Sequence, residues 1–189
     1  TNLTELVATH FDGNHTLKVV ANLPYYITTP ILLHLLRARL PLHSMTVMMQ
    51  KEVAARLSAA PGSKDYGSLS IAVQLVADVA TAFTVSRHAF VPAPNVDSAI
   101  VTLTQRPEPL AAVKNPDSFD RLVRGAFVSR RKTLWNNLVA LFGKPNKDAI
   151  RTALSVAEIA PETRAEQLAI ADFARLDEAL RGEGLGIAG

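Results

Sequence analysis

Residues 17–30 read LKVVANLPYYITTP, and this stretch decides how the chain is read. Its first five residues form an apolar run of the kind that makes a strand buried on both faces of a parallel sheet. Thr29-Pro30 then opens a helix, since Thr can cap, proline suits a first turn, and Ile31, Leu32, Leu35 and Leu36 give an apolar face. Between strand and helix lie an amide, a proline without an N–H and two adjacent tyrosines. Ligands of open α/β sheets bind at the carboxyl ends of strands, so residues 22–26 are the first candidate site.

Working outward, residues 45–50 (MTVMMQ) read as a second short strand, and KEVAARLSA follows as a helix that stops at Pro61-Gly62. YGSLSIAVQLVAD reads as another helix, with Leu69, Ala72, Val73 and Val76 on one face. ATAFTVSRHAF (80–90) and DSAIVTLTQ (97–105) are rich in β-formers and read as strands. The order looks like the second half of an open α/β sheet that finishes in an antiparallel pair. Residues 106–116 (RPEPLAAVKNP) form a Pro-rich linker. Beyond it the pattern is helical. Asn115-Pro116 starts one helix, with Leu122, Val123, Ala126 and Phe127 inward. Ser129 caps a second, with Leu134, Leu138, Leu141 and Phe142 inward and Gly143 as its stop. Asn146 starts a third and Pro161 a fourth; the last stretch, AIADFARLDEALRG, shows Ile170, Phe173, Leu176 and Leu180 at helical spacing. Two domains result, 1–105 and 106–189. The Gly-x-Gly-x-Gly at 182–186 imitates a cofactor loop, but no strand precedes it and no helix follows, so it reads as a helix stop and tail.

With 189 residues, 48% hydrophobic and 20% charged, the chain is long and apolar enough to bury a core. It has no cysteine, which excludes disulfides, thiolate metal sites and a thiol nucleophile and fits a reducing compartment. No apolar run approaches the ~18 residues that span a bilayer, and the first residues have neither the basic start nor the apolar stretch of a signal peptide. His34, His43 and His88 are scattered without ligand spacing, so no metal is expected. The net charge is only +3, but Arg121, Arg124, Arg130, Arg131, Lys132, Lys144, Lys147 and Arg151 face Asp148 alone between 121 and 151. Such a block points to a polyanionic partner. Arg130, Arg131 and Lys132 are expected to start a helix, where free backbone N–H groups also favour phosphate. Arg124, Arg131 and Trp135 are expected on roughly one helical face. A solvated helix face is the plain alternative.

The amide and rings near residue 22 suit an exocyclic amine such as N6 of adenine. Its lone pair is delocalised into the ring. An Asn side-chain oxygen and a nearby backbone carbonyl could each accept one N–H and draw the nitrogen towards tetrahedral geometry, while a ring stacks on the base. If the attacked group is a cationic sulfonium methyl, no strong base is needed and positioning supplies most of the rate. By spacing alone a strand end, an Asn turn and two core tyrosines are the commoner reading; the place at the carboxyl end of a strand favours a site. Phe90, in FVPAP, is similarly open: two prolines stiffen an extended loop that can hold its ring out as a platform, and a core Phe beside a rigid loop is the ordinary case.

NLPYYITTPI closely resembles the N-(I/L)-P-Y motif of the ribosomal RNA adenine N6,N6-dimethyltransferases. HAFVPAPNVDSAIVTL (88–103), AFVSRRKTLWNNL (126–138) and TRAEQLAIADFARL (163–176) resemble further segments of that family in the same order. The helical part resembles the bacterial small-subunit enzyme more than the large-subunit methylases that confer macrolide resistance. The resemblance implies the second half of a Rossmann-like class I methyltransferase sheet followed by a small all-α domain. Asn22 with Leu23 and Pro24 would then hold the target N6, and Asn22 would also lie close to the methyl donor. Tyr25 would stack on or border the base, and Phe90 would close its other face. Tyr26 is expected in the core. The basic block (Arg121, Arg124, Arg130, Arg131, Lys132, Lys144 and Lys147) would bind RNA.

The implied partners are S-adenosylmethionine and small-subunit rRNA in the immature small ribosomal subunit, in the cytoplasm, with the complete protein a monomer and no membrane or metal. The family's cofactor loop and its acidic residues for the ribose and adenine have no counterpart among these residues, Thr1 corresponding to a point just before the strand that leads to Asn22. The chain by itself is therefore expected neither to bind S-adenosylmethionine well nor to methylate. Two other readings stay open: a non-catalytic RNA- or ribosome-binding module, and an adenine methyltransferase acting on DNA or large-subunit rRNA.

Overall fold

The computed structural model describes residues 3–11, 15–38 and 40–186. The chain divides into two compact units, Thr1–Ser58 with Val76–Glu108 and Ala59–Leu75 with Pro109–Gly189. The first holds α1 (Leu3–His10), β1 (Leu17–Asn22), α2 (Thr28–Arg37), β2 (Leu42–Gln50), α3 (Lys51–Leu57), β3 (Ala77–Val85) and β4 (Ser98–Gln105). The second holds α4 (Ser68–Gln74), α5 (Pro116–Ala126), α6 (Leu134–Phe142), α7 (Lys147–Val156) and α8 (Ile170–Gly182). The sequence division at 105/106 follows the linker, whereas packing follows buried apolar side chains, and these carry residues 59–75 into the helical unit.

The sheet of the first unit runs in the order β1-β2-β4-β3. β1 and β2 are parallel, and β4 is antiparallel to both β2 and β3. The β2–β4 seam is its core. Met45, Val47 and Met49 of β2 pair with Leu103, Val101 and Ala99 of β4, and all six are buried. Cross-strand pairs of this kind fix register, because a one-residue slip would turn every side chain to the other face. On that opposite face Thr46 and Thr102 sit side by side, their hydroxyls 3.2 Å apart.

Several sequence expectations are corrected. β1 is not buried on both faces. It is an edge strand whose Lys18, Val20 and Asn22 are exposed, Val20 to 81%, because the described residues cover one face of it only. α1 was not anticipated; Thr1 lies outside the described residues. α2 begins at Thr28 after Ile27 with no side-chain cap, so Thr29 does not cap it. α4 ends at Gln74, and β3 starts at Ala77 and ends at Val85, earlier than its expected span. Arg106 pairs with Asp78 near the start of β3, at 2.5 Å.

The helical unit closes around one apolar cluster that includes Phe119, Leu122, Leu138, Ile150, Phe173 and Leu176. Asn115 caps α5 by accepting from the N–H groups of Asp117 and Ser118, the N-terminal chemistry expected of that residue. Buried Asp177 accepts from the Ser118 hydroxyl at 2.6 Å and from Arg181 at 3.3 Å. Tyr66 is fully buried, meets the Phe127 ring edge-on, and donates its hydroxyl to the Leu168 carbonyl at 3.0 Å.

Burial first, and the Asp172 charge second, push the Tyr66 phenol up to about 12 from an ordinary 10.0. The folded state thus favours the neutral phenol. Its contribution is complete below about pH 10, where the unfolded chain titrates, and is lost as pH rises through about 12. Tyr66→Phe should cost roughly 1–2 kcal/mol at neutral pH by leaving the Leu168 carbonyl unpaired. Denaturant titrations from pH 8 upward should show that deficit against wild type narrowing above pH 10.

Candidate functional site

Strand direction brings two loops to one end of the sheet. β1 and β2 both run towards it, finishing at Asn22 and Gln50. Gln50 pairs with Ser98 at the start of β4, and Ser98 also pairs with Val85 at the end of β3. The loop after β1, with residues 23–27, and the β3–β4 loop, with Phe90, therefore lie at the same edge. A direct hydrogen bond ties the first loop to the start of β4, where the second loop ends: the Tyr25 hydroxyl and that of fully buried Ser98 are 2.5 Å apart.

Within the first loop Asn22 is exposed, Leu23 half-buried and Pro24 exposed. The Pro24 carbonyl already accepts from the Ile27 N–H at 3.1 Å and from the Thr28 hydroxyl at 2.9 Å. These bonds wind the chain into α2 and occupy the Pro24 carbonyl, which leaves the Asn22 amide and the Leu23 carbonyl as the acceptors to consider in this loop. Tyr25 is half-buried, as suits a ring whose hydroxyl is tethered. Tyr26 is 84% exposed, so its expected place in the core is overturned: at this turn the two neighbouring rings diverge, and the Ser98 tether draws Tyr25 inward instead.

The second loop is closed on itself. Asp97 accepts from the Arg87 N–H at 3.0 Å, the Arg87 guanidinium donates to the Asn95 carbonyl at 3.3 Å, and the Lys51 N–H donates to the Asp97 carbonyl at 3.0 Å. Half-buried Phe90 follows a short 3-10 turn at Arg87–Ala89 and precedes a cis Val91-Pro92 bond. Sequence reasoning missed Ser98, Asp97 and Arg87 here. The alternation of DSAIVTLTQ showed a strand, but not that its first hydroxyl faces a tyrosine 73 residues earlier.

The basic residues lie in the helical unit, and the structure sorts them by partner. Arg121 stands over the Phe142 ring and Arg151 over Trp135, each 5.5 Å from the centroid. Arg124 pairs with Asp120 one turn back at 3.0 Å. Arg130 donates to the Lys64 carbonyl at 2.6 Å and to the Tyr66 carbonyl at 2.5 Å. Arg131, Lys132, Lys144 and Lys147 are exposed, and no partner is found for them among the described residues. Arg130, Arg131 and Lys132 do not start a helix. They occupy a turn before α6, closed by the Lys132 N–H on the Ser129 carbonyl, and the cap is Thr133 rather than Ser129. Arg124, Arg131 and Trp135 consequently belong to three segments, not one face.

A buried amide shapes that turn. Asn137, only 3% exposed, donates to the carbonyls of Ala126 at 2.8 Å and Ser129 at 3.1 Å. Among the described residues no group of three or more His, Cys, Asp or Glu could hold a metal ion, and no helix is long and apolar enough to cross a membrane. Asn137→Ala strands two carbonyls, and with α6 otherwise capped by Thr133 it should cost roughly 2–4 kcal/mol. Urea unfolding of the variant checks this, against an Asn136→Ala control at the exposed neighbouring amide.

With this geometry in hand, residues 1–181 match the family model described as ribosomal RNA adenine dimethylase. The chain is 63% identical over 181 residues to the ribosomal RNA small subunit methyltransferase A of Latilactobacillus sakei, covering 95% of this chain and 61% of that protein. It is 57% identical over 171 residues to the protein of that name from Streptococcus thermophilus, covering 89% and 59%. The chain thus spans about three-fifths of the length of these curated relatives. A dimethyladenosine transferase from Plasmodium falciparum superposes with a TM-score of 0.76 at 29% identity, over 90% of this chain and 69% of that one. The 23S rRNA methyltransferase ErmE does so at 0.60 and 22% identity, over 95% and 76%, a likeness of fold alone. The fold class expected from the sequence, the later strands of a class I methyltransferase sheet with helices after them, stands on these structures.

Proposed function

The chain belongs to the ribosomal RNA adenine dimethylase family, and from that premise we propose that it carries the target-base side of an enzyme that methylates N6 of adenines in small-subunit rRNA. The Asn22–Tyr25 loop, pinned to the sheet through Tyr25 and Ser98, is the observation that carries this reading. The Asn22 side-chain oxygen and the Leu23 carbonyl accept the two N–H bonds of the target amine. Pro24 shapes the loop, its own carbonyl being engaged by α2. Tyr25 borders the base, and Phe90, held at the same sheet end, closes the other face. The residues present fit a methyl donor on one side only: the exposed Asn22 amide can reach it, and no other side chain here is assigned to it. S-adenosylmethionine, when bound, supplies an electrophilic methyl group. The protein's part is to hold the nucleophile in line, the kind of positioning that supplies most of such a rate.

Residues 106–189 act as the rRNA-binding domain, with Arg131, Lys132, Lys144 and Lys147 as phosphate contacts, during assembly of the small subunit in the cytoplasm. Arg121, Arg124 and Arg130 contribute through the fold as much as through charge, given their partners. Names shared at 63% and 57% identity favour the small-subunit substrate over large-subunit RNA or DNA. The 189-residue chain alone binds S-adenosylmethionine weakly and does not methylate; tight binding in calorimetry would contradict this. For the enzyme itself, the chain extended to the length of its relatives should form dimethyladenosine in immature small subunits. Asn22→Ala in that extended form should lower methyl transfer by about 100-fold or more, while RNA binding persists. Undiminished transfer would remove Asn22 from the mechanism, and RNA binding without any transfer by the extended wild type would favour a non-catalytic module.

A further inference from the structure

Arg130 belongs to the most basic triplet of the chain, yet its guanidinium is bonded to protein. Its two terminal nitrogens donate to the backbone carbonyls of Lys64 and Tyr66. A planar fork can grip two carbonyls at once in a way that a lysine ammonium cannot. Both ends of this clamp are anchored inside the helical unit. On one side Asn137 fixes the turn before α6. On the other, Tyr66 is buried and bonded to Leu168, and the Gly62 N–H donates to the Glu166 carbonyl at 2.6 Å.

Lys64 is exposed, and its ammonium has no partner among the described residues. The clamp holds the Lys64 backbone within one arginine side chain of residue 130, the chain neighbour of Arg131 and Lys132, although 66 residues separate the two in sequence. Three exposed cations, Lys64, Arg131 and Lys132, therefore belong to two chain segments that the clamp joins, with half-buried Asp65 as the acidic neighbour in the chain.

We propose that Lys64 is a further RNA-phosphate contact of the basic surface, and that Arg130 is the positioning residue that sets it there. The inference rests on the RNA-binding reading of the helical unit. An RNA strand crossing the turn before α6 meets Arg131 and Lys132 from one segment and Lys64 from the other, and each phosphate so neutralised releases counterions.

The test is the salt dependence of binding by the 189-residue chain to a labelled small-subunit rRNA hairpin, read by anisotropy in a KCl series. Lys64→Ala should lower the slope of log K against log[KCl] by about one, with an unchanged thermal midpoint. Arg130→Lys keeps the charge but loses the fork, and should lower the slope by as much. Adding Lys64→Ala to Arg130→Lys should then change the slope little, since the contact is already lost. A wild-type slope in Lys64→Ala overturns the proposal, and that variant decides alone if Arg130→Lys does not fold. Absence of salt-dependent binding by the wild type overturns the RNA-binding reading as well, which separates the two failures.

Discussion

The hydrogen bond between Tyr25 and Ser98 ties the loop on which the candidate site depends to the first residue of β4. It exists because β4 runs antiparallel between β2 and β3. Were β4 parallel, its first residue would lie at the far end of the sheet and could not meet a loop that leaves β1. The antiparallel return puts Ser98 beside the exits of β2 and β3, where Tyr25 arrives from β1. Burial makes the bond matter, because an unpaired hydroxyl at fully enclosed Ser98 would cost on the order of 1–3 kcal/mol. The loop is thereby held to the sheet by a bond within the protein. In this arrangement Asn22 is exposed while the Pro24 carbonyl serves α2.

The helical unit solves a different problem. A cluster of like charges repels itself, and the chain manages this by giving several of its cations internal partners. Two aromatic faces, one aspartate and two backbone carbonyls take Arg121, Arg151, Arg124 and Arg130 respectively. Charge density along the sequence is therefore a poor guide to which cations meet a partner. The engaged ones build the surface, and the remaining ones present charge on it.

Much of the fold was legible in the sequence, and the misses share a physical cause. β2 and β4 read correctly because a buried seam imposes apolar residues at every second position. Residues 17–21 look the same whether one face or both are covered, so the exposure of Val20 could not be read from them. Ser129 and Thr133 are both plausible caps four residues apart, and only the Asn137 clamp on Ala126 and Ser129 decides that the helix starts after the later one. Tyr25 and Tyr26 are indistinguishable by type, and their fates split on a partner 73 residues from Tyr25. The Asn-apolar-Pro-aromatic order at a strand end located the candidate site, because the backbone constraint there is local. The Tyr25–Ser98 and Arg130–Lys64 bonds at the two candidate surfaces are contacts of long sequence separation and left no local trace.

The claim that the tether to Ser98 fixes the site loop is most directly tested by amide hydrogen exchange on Tyr25→Phe. The ring is kept and only the hydroxyl is lost. The account predicts faster exchange at Ile27, whose N–H bonds Pro24, and at its neighbours in the loop, while the β2–β4 amides keep their protection. Exchange at Ile27 indistinguishable from wild type would contradict it.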